Sequence, residues 1–287
     1  MIFGNNRPQV FKNIKKAVKA KEFNIPVELD DPVLTLQESK AAVEKYWHHT
    51  KTLSYKFTNI LMNAFYGTLA NLTISKSQIV GQENLKNIGA AIVTTNHFKH
   101  TDSLPIRKLA SLNHKKLYIV IEDINLLLPG FFGVIMNNAN MVPLSKSTNY
   151  LGREFPKHLK DIFKKNAWLL VYPEQEMWYQ YRKPRPLMNG AYYYAAKNKV
   201  PIISCFVEIQ DLPKPEHNAP NFNKTKKILH ILPTIYPDPN LSIKANEKRM
   251  CKIDYEQKKA AYEKAYGKKL NYDFENSDIA GYHGPIA

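Results

Sequence analysis

The sequence predicts an α/β fold, in which a mixed, mostly parallel sheet is flanked by helices and preceded by an N-terminal helical segment. The main observation is that, from residue 72 onward, short apolar runs typical of strands alternate with helical stretches. A second observation is that apolar residues within residues 37–71 recur at steps of three and four, the spacing of one helix face. Together these patterns predict helices packed against a sheet, with further helical structure before it.

The strands are predicted where apolar runs are bounded by polar residues, glycine or proline. Residues 168–172 are the clearest case, because every position is apolar or aromatic, as expected for a strand buried on both faces. The other predicted strands are residues 73–80, 90–95, 117–121, 139–144, 201–209 and 226–236.

The helices are predicted between and after these strands. Asp102 or Ser103 is a suitable N-cap for a helix over residues 103–112, and Pro105 is tolerated in its first turn. The other predicted helices are residues 126–137, the amphipathic stretch 151–165, the stretch 190–197 with its small residues, and the charged stretch 244–266.

The same patterns divide the chain into four regions. Residues 1–36 are expected to form a basic arm, which either lies on an anionic surface or extends into solvent. Residues 37–71 fit one long helix or a helical hairpin, whose wide aromatic face packs on the domain core or meets a membrane. Residues 72–243 are predicted to form the α/β domain, and residues 244–287 to add a helix and an irregular tail.

The composition excludes several classes of protein. The chain has 287 residues, of which 44% are hydrophobic and 11% aromatic, so it is neither disordered nor of low complexity. Its 41 basic and 25 acidic residues give a formal net charge of +16, which favours anionic partners. Only six of the basic residues are arginines, and we find no RNA-recognition or helix-turn-helix signature. No nucleic-acid partner is therefore expected.

Cysteine content and hydropathy limit the cellular setting. The two cysteines, Cys205 and Cys251, cannot form a disulfide scaffold, which favours a reducing compartment. The N-terminus lacks the apolar core of a secretory signal, and there is no run of about 18 apolar residues that would cross a bilayer. The composition, rich in lysine and asparagine, is typical of an AT-rich bacterial genome.

The first chemical motif is Asn96-His97-x4-Asp102. His97 is predicted to follow a strand and Asp102 to begin a helix, so the carboxylate can fold back onto one imidazole nitrogen while the other faces a substrate. A general base needs this arrangement, although His97 could equally be an ordinary loop histidine. His97 and His100 could in principle bind zinc, but no second ligand cluster follows, and no metal site is expected.

Two further motifs follow the predicted strand at residues 168–172. Pro173-Glu174-Gln175-Glu176 brings two carboxylates that could bind a hydroxyl or cap a helix, or that simply belong to a turn. Residues 182–185 then contain three cations held by prolines, which fit either an anionic ligand or a solvated charge run.

In order along the chain, these motifs resemble those of the PlsC-type glycerolipid acyltransferases, which include the bacterial 1-acylglycerol-3-phosphate acyltransferases. The resemblance covers residues 72–210. It rests on the Asn96-His97-x4-Asp102 motif followed by Pro105, on Pro173-Glu174, on Val200-Pro201-Ile202-Ile203, and on Gly81-Gln82-Glu83-Asn84-Leu85 before the histidine.

The resemblance implies the glycerolipid acyltransferase fold and transfer of a fatty acyl group to a hydroxyl of a lysolipid. The donor would be a thioester, either acyl-CoA or acyl carrier protein, with no other cofactor. By the same resemblance, His97 would be the general base, Asp102 would orient it, and Glu174 would position the acceptor. Asn96, Pro173 and Glu176 would support the motifs.

One departure from the family pattern concerns the acceptor. The family's third block usually reads Phe-Pro-Glu-Gly-Thr-Arg, but Met177 stands at the arginine position, with Glu176 beside it. One hypothesis is that Lys146, Arg182 and Arg185 rebuild a phosphate site for an acceptor like lysophosphatidic acid. The alternatives are an acceptor without a phosphomonoester, such as another lysophospholipid or a glycolipid, or a decayed, basic lipid-binding module.

Membrane contact follows from the substrates that the resemblance implies. Lysolipids partition into bilayers, so an anionic membrane surface is expected as a partner. Residues 37–71 and the loop 126–132 are the candidate contacts, because apolar side chains adjoin cations or polar turns there. We therefore expect a peripheral or monotopic protein on the cytoplasmic face of the membrane.

Overall fold

The computed structural model of the protein describes residues 7–29, 34–75, 78–145, 147–217 and 219–285. A seven-stranded sheet organises these residues, with strand order β1-β7-β6-β2-β5-β3-β4. Strands β6 and β7 are antiparallel, and every other neighbouring pair is parallel, which confirms the predicted mixed, mostly parallel sheet. The strands are β1 Ile79–Val80, β2 Ala91–Thr94, β3 Leu117–Glu122, β4 Met141–Leu144, β5 Trp168–Val171, β6 Ile202–Glu216 and β7 Ala219–Ile231.

The central strands β2 and β5 are apolar along almost their whole length because helices cover the sheet. Helix α8 (Ile243–Tyr266) packs on α7 (Gly190–Asn198) and β6, while α4 (Ser103–Leu112) packs on α3 (Leu53–Thr73) and β5. The helices that follow β2 are α4 Ser103–Leu112, α5 Gly130–Asn138, α6 Phe155–Lys164, α7 Gly190–Asn198 and α8 Ile243–Tyr266.

The main differences from the predicted elements lie where long-range pairing overrides local pattern. Among the described residues of the predicted strand over 73–80, only Ile79–Val80 form a strand, and the preceding helix continues to Thr73. The predicted strand over 226–236 begins at Ala219 instead, because β7 pairs along the length of β6 in a long hairpin. The predicted helix over 126–137 begins only at Gly130, because a 3-10 helix over Asp123–Leu127 precedes it and Pro129 is the N-cap residue of α5.

Residues 37–71 form a pair of helices rather than one. Helices α2 (Leu36–His49) and α3 (Leu53–Thr73) are separated by a short turn. Thr35 caps α2 in a capping box with Glu38, and the Thr52 side chain accepts a hydrogen bond from the N–H of Tyr55 at the start of α3. These two caps explain why the apolar pattern does not continue as a single helix.

Helix α1 (Arg7–Ala20) packs its apolar face inside the protein. Phe11 and Ile14 are fully buried and belong to a second core cluster, which also contains Trp178 and Tyr282. Neither expectation for the basic arm describes residues 7–20, because their apolar side rests on the protein instead of an anionic surface or solvent. Among the described residues, no helix is long and apolar enough to cross a membrane.

Candidate active site

His97 and Asp102 meet at the carboxyl end of β2. The Nδ1 atom of His97 lies 2.6 Å from Oδ2 of Asp102. Asp102 precedes α4 but its side chain makes no capping hydrogen bond; it turns back and accepts from the N–H groups of Phe98 and Lys99. The helix boundary therefore places the carboxylate under the imidazole, which is the arrangement that the motif predicts.

Tyr172 completes this pair from the end of β5. Its hydroxyl donates to Oδ1 of Asp102 at 2.6 Å, and its ring stacks on that of His97 with centroids 4.0 Å apart. The sequence analysis missed this residue; the available signal was a tyrosine where the family usually has phenylalanine. Because Tyr172 lies next to Pro173-Glu174, the stacking also ties the two motifs together.

The environment keeps Asp102 ionised. Burial raises the pKa of its carboxyl, but the electrostatic interaction and hydrogen bond with His97, the hydroxyl of Tyr172 and the charge of Lys227 outweigh it, so the pKa lies below its usual value. Burial and the neighbouring Asp102 raise the pKa of Tyr172 well above its usual value, so this hydroxyl stays protonated as a donor.

The His97 imidazole remains accessible to a substrate. Its side chain is 21% exposed, whereas that of Asp102 is 3% exposed. Among the described residues, Nε2 of His97 has no hydrogen-bond partner. Because Nδ1 faces the carboxylate, a neutral His97 donates its Nδ1–H to Asp102 and leaves the Nε2 lone pair free to accept a proton.

Glu174 supports the loop from His97 to Asp102, which we call the histidine loop. Its carboxylate accepts hydrogen bonds from the backbone N–H groups of His97 at 3.2 Å and Arg185 at 2.9 Å. It also pairs with Nη2 of Arg185 at 3.0 Å, and each residue is 1% exposed. Arg185 donates further to the carbonyl oxygens of Phe23 and Glu176. Buried in this way, the two charges hold the His97 backbone and expose no polar surface to an acceptor.

The other cations of the 182–185 cluster are also paired. Arg182 pairs with Asp211 and donates to the carbonyl of Ser277 at 2.7 Å. Lys183 pairs with Asp278 at 2.8 Å, and this pair is almost completely buried. The arrangement is therefore neither a solvated charge run nor the open anionic-ligand site predicted for Arg182 and Arg185. Lys146, the third predicted acceptor contact, lies outside the described residues.

The remaining motif residues hold loops together. The Asn96 side chain bonds to both backbone groups of Val207 on β6, at 3.1 Å to the carbonyl and 2.8 Å from the N–H. The carbonyl of Pro173 accepts from Met188, and Met177 is buried at 8% exposure. No cluster of three or more potential metal-ligating side chains occurs within the described residues.

Comparison with known proteins adds two findings. Residues 76–208 match the model of a family described as Acyltransferase. The crystal structure of the 1-acyl-sn-glycerophosphate (LPA) acyltransferase PlsC from Thermotoga maritima is similar with a TM-score of 0.49 and 14% identity, over 92% of this chain and 98% of that one. No curated protein sequence gives a significant match.

Proposed function

We propose that the protein moves a fatty acyl group from a thioester to a hydroxyl of a lysolipid, and the match of residues 76–208 to the family model described as Acyltransferase supports this proposal. The donor is acyl-CoA or an acylated carrier protein, and no other cofactor takes part. His97 is the general base and Asp102 orients it.

The hydrogen-bonded pair of His97 and Asp102 carries this proposal. The acceptor hydroxyl oxygen attacks the thioester carbonyl carbon, so that a C–O bond forms and the C–S bond breaks. His97 Nε2 takes the hydroxyl proton and then delivers it to the leaving thiolate, while the nearby carboxylate stabilises the imidazolium. Protons and electrons balance without a covalent intermediate on the enzyme.

The acceptor is proposed to resemble lysophosphatidic acid. The large positive charge of the chain favours an anionic acceptor. Met177 at the usual arginine position, next to Glu176, favours instead another lysophospholipid or a glycolipid. Comparing turnover on lysophosphatidic acid with turnover on neutral lysolipids separates these acceptors.

We also propose that the protein binds peripherally to the cytoplasmic face of an anionic membrane. Helices α3 and α5 support this proposal, because they contact each other, with Phe65 and Phe131 centroids 5.7 Å apart, and carry many exposed apolar side chains. On α3 these are Leu53, Phe57, Ile60, Leu61, Phe65 and Leu72, and on α5 they are Phe131, Phe132 and Val134.

Sedimentation with anionic vesicles at low salt tests the membrane proposal. Ile60→Gln removes an apolar side chain that is 69% exposed on α3, and Ile243→Gln is its matched control, at 44% exposure on α8. We expect weaker binding for the first variant and unchanged binding for the second. A wild-type protein that stays in the supernatant would contradict the proposal.

Thiol release from palmitoyl-CoA, with and without a panel of lysolipids, tests the chemistry. We expect acceptor-dependent release that falls about 10²- to 10⁴-fold in His97→Ala. His48→Ala, an exposed histidine on α2, is the matched control and should retain activity. If palmitoyl-CoA gives no release, the assay is repeated with an acylated carrier protein. Failure with both donors would contradict the enzyme proposal and favour the lipid-binding module.

A further inference from the structure

Two lysines lie at the histidine loop, and neither belongs to the cation cluster of residues 182–185. Lys99 belongs to the loop itself, and Lys227 comes from β7. The Nζ atom of Lys227 donates to Oγ1 of Thr101 at 3.2 Å and lies 5.4 Å from the ring centroid of Phe98. Thr101 precedes Asp102, so Lys227 reaches the motif from a strand that is distant in sequence.

Lys99 extends over the ring of Tyr179, with Nζ 5.8 Å from its centroid. Both lysines are half-buried. Burial lowers the pKa of Lys227, the charge of Asp102 raises it, and the charge of Lys99 lowers it further. Lys99 is part of the loop from His97 to Asp102, and Lys227 bonds to Thr101 of the same loop.

Neither lysine forms an ion pair with a carboxylate within 4.0 Å in the described part of the chain. The nearest acidic influence on Lys99 is Glu216, which is itself paired with Arg7 at 2.8 Å. Burial lowers the pKa of both amines, and that of Lys227 falls to about 8. Half-buried cations that contact no carboxylate directly are stabilised when an anion binds between them.

We propose that Lys99 and Lys227 bind the phosphomonoester of the acceptor next to His97. This inference rests on the proposed acyl transfer to a lysolipid. In a 1-acylglycerol 3-phosphate, the free hydroxyl and the phosphate are on neighbouring carbons, so a phosphate site must adjoin the general base. These lysines occupy such a position, because they flank the loop from His97 to Asp102. The phosphates of acyl-CoA, in contrast, are separated from the thioester by the whole pantetheine arm.

The lysines would thereby take the part that the family assigns to an arginine in the block where Met177 stands. A lysine binds phosphate as a point charge and needs no bidentate geometry, so cations from two elements are sufficient. The charge of Glu176 then matters less, because the phosphate lies on the β7 side of the loop.

The kinetic test compares Lys99→Gln and Lys227→Gln with the wild type. The acceptors are lysophosphatidic acid and a monoacylglycerol with the same acyl chain. We expect the KM for lysophosphatidic acid to rise about tenfold or more in each variant, with little change for the monoacylglycerol. Lys227→Arg should largely restore the KM. Lys226→Gln, an exposed neighbour on β7, is the matched control and should behave as the wild type.

Three kinetic results would overturn the inference. One is an equal loss on both acceptors, which would indicate general damage to the loop. Another is an unchanged KM for lysophosphatidic acid. The third is a higher KM for acyl-CoA in the lysine variants, together with an unchanged KM for an acyl N-acetylcysteamine thioester. This second donor has no phosphate, so the result would assign the lysines to the donor.

A ligand-binding measurement tests the phosphate site independently of the proposed acyl transfer. We expect glycerol 3-phosphate to raise the Tm of the wild type and of Lys226→Gln, and to leave those of Lys99→Gln and Lys227→Gln unchanged. This result can be obtained even if no acyl transfer is detected with any donor. The same increase in all four proteins would overturn the phosphate site.

Discussion

Two groups of cations border the histidine loop, and they differ in their partners. Arg182, Lys183 and Arg185 are consecutive or nearly so in sequence, and each is paired with a carboxylate. Lys99 and Lys227 come from distant parts of the chain, and neither is paired in the described structure. This contrast shows that cations clustered in sequence are not necessarily available to bind a ligand. The paired group stabilises the loop, and the unpaired group is proposed to bind the substrate.

The largest effect is expected from a substitution of Arg185, the most buried cation of the paired group. Arg185→Met leaves the Glu174 carboxylate buried without its counter-charge, so we expect the free energy of unfolding to fall by about 3–5 kcal/mol. Denaturant unfolding measures this loss. The double variant Arg185→Met/Glu174→Gln should recover part of it, because no unpaired charge remains. A loss below about 1 kcal/mol would show that the pair does not support the loop.

The next effect concerns the pH response of the unpaired group. Lys227 loses its proton as the pH rises through about 8, because burial lowers its pKa and Lys99 adds to this, against the opposing charge of Asp102. Since only the protonated amine attracts phosphate, we expect the KM for lysophosphatidic acid to rise roughly tenfold between pH 7 and 9. Measured KM profiles should lack this rise for monoacylglycerol and in Lys227→Arg. The same rise for both acceptors would contradict the assignment.

A smaller effect is expected for Tyr172, whose hydroxyl positions the Asp102 carboxylate without changing its charge. Tyr172→Phe removes the hydroxyl donor to Asp102 but keeps the ring that stacks on His97. We expect kcat to fall about three- to tenfold, with the KM for either acceptor unchanged, because one hydrogen bond that holds the carboxylate is lost. Tyr193→Phe on α7 is a control. A change in KM without a change in kcat would show that Tyr172 contacts the substrate.

The smallest effect tests the exposed member of the paired group. Arg182 pairs with Asp211, whose side chain is 43% exposed, so Arg182→Gln should cost about 1 kcal/mol of stability or less. The KM for lysophosphatidic acid should not change, since this guanidinium is held away from ligands by its own partners. A tenfold rise in KM would restore Arg182 as an acceptor contact and remove the distinction between the two groups.

The sequence predicted those parts of the site that depend on nearby residues. The His97–Asp102 pair follows from one strand end, one helix start and four intervening residues, all of which local patterns indicate. Two of the carboxylates that engage residues 182–185 could not be predicted so directly, because Asp211 and Asp278 come from a hairpin and a tail that only tertiary packing brings there. The position of Lys227 depends on the register of β7 against β6, which no local pattern specifies.

The fold, too, has parts that local sequence patterns predict and parts that depend on tertiary packing. The central strands and the helix over residues 103–112 follow from apolar runs and a helix start, and the structure confirms them. The arm at residues 7–20 has a readable apolar face, but the sequence does not indicate what covers it. The cover is an aromatic cluster from three distant segments, which include Trp178, Phe222 and Tyr282.

The packing of α1 has a consequence for the order of events during folding. The buried face of α1 belongs to one core cluster with Ile279 and Tyr282, which are distant from it in sequence. The N–H of Ala280 also bonds to the carbonyl of Gln180, whose own N–H bonds to the carbonyl of Phe98. Contacts between residues so far apart in sequence form slowly, so we expect this cluster to order after the central sheet. Maturation of the histidine loop is therefore expected to be a late step of folding.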